Sequence, residues 1–141
     1  CPGYAPRKLT RSADAAWAFS TPTFEDGPYL PENATTTTVT LGALSGSGVS
    51  LTFSSTAGVN NGSGLSAADV GRLVRVLTKE DGDDTPPYVW AVLRIASVSS
   101  TTAGTADFVY TGQDEQTNTK REWRLGYWND ARGWPTCGGR C

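Results

Sequence analysis

Between Thr35 and Tyr110, hydrophobic side chains recur at every second position and seldom at helical spacing. In "TTTVTLGAL" Val39 and Leu41 share one face, and in "SGVSLTFSS" Val49, Leu51 and Phe53 do the same. Period-two alternation marks half-buried strands, and the "SGSG" between these runs predicts a hairpin connection. "AGVNNGSG" then predicts a loop. In "LSAADVGRLVRVLT", Ser66 followed by Asp69 matches a capping box and predicts one helical turn at most. Gly71 releases the chain into a strand, "RLVRVLT". "YVWAVLRIASV" is apolar on both faces apart from Arg94, which predicts a central strand covered on both sides. "TADFVYTG" alternates again after a "STTAG" turn, and "REWRLGYW" predicts a last strand. Trp90 and Trp123 are expected in the core.

The first 33 residues read differently. They hold five of the eight prolines, and proline fixes φ and removes a ladder donor. "PGYAPRKLTR" and "WAFSTPTFEDGPYLPEN" therefore predict extended, turn-rich connections. The expected fold is all-β, a small β-barrel or sandwich of about six or seven short strands. Extended N- and C-terminal connecting segments flank it. Residues 1–34 form the approach segment, 35–120 the β-barrel or sandwich domain, and 121–141 the final strand and exit segment toward a parent body.

Composition agrees with one ordered domain. The chain has 141 residues, 38% of them hydrophobic and only 18% charged, with β-branched and aromatic residues spread throughout. The net charge of −2 hides an asymmetry. Residues 12–119 carry four basic and twelve acidic side chains, whereas the two ends carry eight basic and two acidic. Opposite signs within one small unit predict docking surfaces for a large partner or for further copies. A pI near 5.0 is far from the basic footprint of a nucleic-acid groove, so no sequence-specific nucleic-acid binding is expected. No apolar run reaches the roughly 18 residues of a membrane span, so no membrane partner is expected. The opening "CPGYAPRKLT" lacks a signal-peptide pattern and reads as an excised fragment.

Candidate chemistry is sparse. The chain has no histidine, so Ser–His and Cys–His activation are unavailable. There is no phosphate-cradling loop, no dinucleotide fingerprint and no carboxylate pair that stands out. The expectation is a non-enzyme with no cofactor and no metal. Cys1, Cys137 and Cys141 are an odd number with no Cys-x-x-Cys pair. A disulfide from Cys1 to one of the other two stays open, and unpaired cysteines at a boundary are the preferred reading. The acidic loop Glu80, Asp81, Asp83 and Asp84 lacks EF-hand spacing and reads as a solvated hairpin tip. Asn33-Ala-Thr35 and Asn61-Gly-Ser63 match the glycosylation acceptor pattern, with chance matches in Ser/Thr-rich loops as the preferred account.

Three stretches, in order, resemble a pattern of large bacteriophage tail proteins. "PRKLTR…WAFSTPTFEDGPYLPEN" is similar to their approach segment. "LSAADVGRLVRV…YVWAVLRIASVSSTTAGTADFV" is similar to their inserted β-domain, which is likened to the first catalytic-cysteine half-domain of ubiquitin-activating enzymes. "WRLGYWNDARGWPTC" is similar to the exit segment. The stretches are most like those of the tail nozzle (tail tubular) proteins, whose main body is a β-propeller. The resemblance implies a non-enzymatic module of the virion tail, seated on its own tail protein and on other tail subunits in a ring. It also implies contact with the host surface, and carries no ubiquitin-transfer chemistry. Arg7, Arg11, Trp17 and Tyr29 of the approach would join Arg124, Tyr127, Trp128, Trp134 and Pro135 of the exit as the seat. Loops bearing Asn60 and Asn61, and Asp81, Asp83 and Asp84, would project toward partners. The alternative is a carbohydrate-binding module that stacks host polysaccharide on exposed aromatics.

Overall fold

The computed structural model describes residues 7–20, 22–78, 89–112 and 120–127. These form an all-β chain with two sheets. The smaller is a hairpin of β1 (Lys8–Ala13) and β2 (Ala16–Ser20). The larger has six antiparallel strands: β3 (Val39–Leu41), β4 (Val49–Phe53), β5 (Leu73–Thr78), β6 (Val89–Val98), β7 (Ala103–Tyr110) and β8 (Trp123–Leu125). Their spatial order is β3-β4-β7-β6-β5-β8.

Strict alternation decides which face of each strand is buried. In β4, Val49, Leu51 and Phe53 are buried, while Ser50 and Thr52 are exposed. Val74 and Val76 of β5, Ala91, Leu93 and Ile95 of β6 and Ala106 of β7 complete the same interior. Trp123 of β8 lies across it, with its ring centroid 4.9 Å from that of Phe53 in an edge-on arrangement. Two irregularities in the β6–β7 register, between Val92 and Leu93 and between Ile95 and Ser97, bend the long central pair. Gly104 sits opposite the bend because a Cβ there would stand 2.2 Å from the Ser97 carbonyl oxygen. So curled, the sheet becomes a half-barrel. Its first strand reaches the chain leading into the last: Val39 N donates to Lys120 O at 2.8 Å, and Lys120 N to Val39 O at 2.7 Å.

The predicted capping turn is present. Ser66 accepts from Ala68 N, and Asp69 in return accepts from Ser66 N at 2.8 Å, opening the short 3-10 turn Ala67–Asp69. Two expectations need correction. The approach segment is not wholly extended, because Lys8–Ser20 folds back on itself. Its proline density masked an alternation that pairs Leu9 with Phe19 and Arg11 with Trp17. Trp90 is not in the core. It falls on the outward phase of β6, between the inward Ala91 and the start of the strand, and is half-buried there.

Candidate functional site: the entry and exit seam

The place where the chain enters and leaves the half-barrel is one continuous seam. Residues 28–33 run antiparallel to β8 and its continuation, outside the six-stranded sheet. Tyr127 N donates to Pro28 O at 2.8 Å, Leu30 N to Leu125 O at 2.9 Å, and Asn33 N to Trp123 O at 3.0 Å. Tyr29 and Gly126 form the bridge between them. Asn33 anchors the far end of the seam. Its amide donates to Thr37 O at 2.7 Å and to Arg121 O at 3.2 Å, while its oxygen accepts from Thr35 N at 3.0 Å. These bonds give Asn33 and Thr35 a local reason to occur in that order, apart from any glycosylation signal.

A ladder of guanidinium groups and rings covers the outer face beside the seam. Arg75 of β5 lies directly opposite Arg124 of β8, both on the outward phase of their strands. The Arg75 guanidinium carbon stands 4.7 Å from the Trp90 ring centroid and 5.6 Å from that of Tyr29. The Arg124 guanidinium stands 5.6 Å from the same Trp90 ring and donates to Glu32 at 2.9 Å. Further along, Arg94 donates to Phe24 O at 2.6 Å, which holds the approach segment against the outside of β6. Each cation–ring contact contributes on the order of 0.5–2 kcal/mol, depending on desolvation. The half-exposed Arg124–Glu32 pair adds at most about 1 kcal/mol.

Tyr29 also donates to Asp26 at 2.7 Å. Burial, and then that hydrogen bond, push its phenol from 10.0 up to about 12. The fold therefore holds this proton more tightly than the unfolded chain does. The resulting stability is complete below pH 10 and is lost as the pH rises toward 12. Denaturant melts of the wild type and Tyr29→Phe should differ by a constant amount below pH 9.5 or so. The wild type should then lose ground relative to Tyr29→Phe between pH 10 and 12.

Behind the seam, a buried polar cluster clasps the exit strand. Arg72 and Asp69 are each only 3% exposed and form an ion pair. Arg72 also donates to Gly126 O from Nε at 2.9 Å and from Nη2 at 2.6 Å, and to Asn60 Oδ1 at 2.6 Å. Asn60 returns its amide to both Asp69 oxygens, at 3.1 and 3.0 Å, and to Gly64 O at 2.9 Å. Asn60 has φ of 49°, a left-handed conformation that asparagine tolerates. This corrects the expectation of a projecting Asn60: its amide faces inward and is fully used. Asn61 alone of that pair is exposed.

Among the expected seat residues, the structure joins Tyr29, Arg124 and Tyr127 along the seam. Arg11 and Trp17 instead face each other across the hairpin at 5.6 Å, with Arg11 also paired to Asp14, and Arg7 is exposed just before β1. Trp128, Trp134, Pro135, Asp81, Asp83, Asp84 and the three cysteines lie outside the described residues. Arg72, Asp69, Arg75, Trp90 and Glu32 are participants that the sequence reading did not single out. Arg75 and Arg124 could have been placed outward from the alternation of their neighbours, but their pairing across 49 positions could not.

Among the described residues, no group of three or more His, Cys, Asp or Glu is placed to hold a metal ion. No helix among them is long and apolar enough to cross a membrane. No protein-family model matches the chain, and no curated protein matches it significantly.

Proposed function

We propose that this chain is a structural, non-enzymatic module of a bacteriophage tail nozzle protein, carried as an insertion on a parent body. The observation that supports the insertion is the seam. Entry at Pro28 and exit at Tyr127 are hydrogen-bonded neighbours, so a parent chain can depart into the module and return to nearly the same point. The order of the approach, β-domain and exit motifs supports the tail-nozzle part of the reading. In it, Tyr29, Arg124 and Tyr127 lie at the seat, and neighbouring tail subunits in a ring are the partners. Antibody raised against this chain and applied to intact virions should decorate the tail tip in electron micrographs. Virions whose peptide spectra lack the chain altogether would sink the proposal.

A second reading, contact with host polysaccharide, is favoured by one observation. Leu9, Trp17 and Phe19 share one face of the β1–β2 hairpin and are 50%, 58% and 74% exposed. Exposed rings beside an arginine are suited to stacking on sugars. Retention of the chain on host polysaccharide, lost in Trp17→Ala, is the result this reading requires.

A further inference from the structure

We propose that Arg75 and Arg124, framed by Trp90, Tyr29 and Glu32, form an oxyanion-binding subsite on the outer face of the sheet. Its ligand is a carboxylate, sulfate or phosphate group. Two of its residues, Tyr29 and Arg124, also lie at the proposed seat, so the subsite is tested on this chain without a parent body.

Like charges placed directly opposite each other on neighbouring strands destabilise a sheet. Here both guanidinium groups stand within 5.6 Å of one ring, that of Trp90. Among the described residues, one carboxylate serves the two of them, Glu32 on Arg124. Arg75 has ring contacts but no hydrogen bond or ion pair to any described residue, and its Nε is buried without an acceptor. The Nε of Arg124 is buried and without an acceptor as well. A buried, charged donor left unmatched is costly, and the two arginines stand opposite each other across β5 and β8, so the pair calls for an anion. The rings already hold the guanidinium planes in place, so little ordering remains to oppose binding. The Arg124 side chain is 38% exposed and gives access from solvent. An incoming oxyanion meets competition from the carboxylate of Glu32, which occupies part of the same positive field.

That competition gives the test a distinctive sign. Inorganic sulfate is titrated into the labelled chain at constant ionic strength, and the arginine Nε–H resonances are followed by NMR. Saturable shifts of Arg75 and Arg124 in the millimolar range are expected. Arg75→Met keeps the aliphatic stem over the rings, and its melting temperature in chloride checks that it is folded. It should lose affinity by at least about tenfold, the scale of one lost charge-assisted bond. Glu32→Gln should gain affinity several-fold, which a purely structural role for the ladder does not produce. Shifts that grow linearly with sulfate, or are identical in Arg75→Met, overturn the proposal, as does weaker binding in Glu32→Gln. Glucuronate compared with acetate then identifies the carrier. Tighter glucuronate binding assigns the site to an acidic sugar, and equal binding assigns it to a lone carboxylate.

Discussion

Arg72→Met is expected to destabilise the chain by about 3–5 kcal/mol, the usual consequence of removing one partner from a buried ion pair. The substitution keeps the aliphatic bulk but strands Asp69, which is 3% exposed, without its cation. It also removes both donors to Gly126 O and the donor to Asn60 Oδ1. Asp69 would retain Ser66 N, Ser66 Oγ and the Asn60 amide, which orient the carboxylate but do not neutralise it. Pairing the change with Asp69→Asn should recover part of the loss, so the two effects should fall well short of additive. Urea melts of the four proteins measure this coupling. Hydrogen exchange should show early release of both the 60–72 loop and the exit strand, because Arg72 is the tie between them. Full additivity, or a loss under 1 kcal/mol or so, would contradict the assignment of Arg72 as that tie.

Trp123→Ala is expected to cost a comparable amount, about 3–5 kcal/mol for a large buried aromatic. Its ring is 2% exposed and edge-on to Phe53, and its indole N–H donates to Thr37 O at 3.0 Å. Thr37 O also accepts from Asn33, so the indole helps to order the start of β3 as well as the core. Trp123→Phe keeps much of the ring contact and loses the donor. It should therefore cost less than the alanine change and still more than a surface substitution. Chemical denaturation ranks the three proteins, and an alanine variant as stable as the phenylalanine one would show that the ring is not load-sharing in the core. Either truncation should also loosen the seam, since Trp123 O is the acceptor for Asn33 N.

The strands that alternate cleanly were legible from the residues alone. Val39 and Leu41, or Val49, Leu51 and Phe53, announce a buried face without any knowledge of their neighbours. So did the capping pair Ser66 and Asp69, because its chemistry is local. The hairpin Lys8–Ser20 was hidden because its prolines lie in the flanks, at 6 and 22, and colour the segment around a regular core. Trp90 was misplaced because an apolar residue on a strand apolar on both faces carries no sign of which face it takes. The phase of its neighbours settles that: Ala91, Leu93 and Ile95 are inward. Arg72, at a strand start, carries no local sign of burial. Its burial depends on Gly126, 54 positions away, and no local pattern reports such a distance. The seam shares that origin: its bonds join residues 28–33 to 123–127, and only the closed fold brings them together.

The seam also determines how the molecule carries mechanical load. Tyr127 and Pro28 are bonded at the end of the seam where the chain enters and leaves, and Asn33 and Trp123 at the far end. Tension drawing the entry and exit apart falls first on the Arg94–Phe24 tie on the entry side, then on the Tyr127–Pro28 bond, then on Leu30–Leu125, and last on Asn33–Trp123. The bonds open singly, like a zip, and never share the force in shear. A pull on the two ends of the seam therefore peels the edge of the sheet at low force.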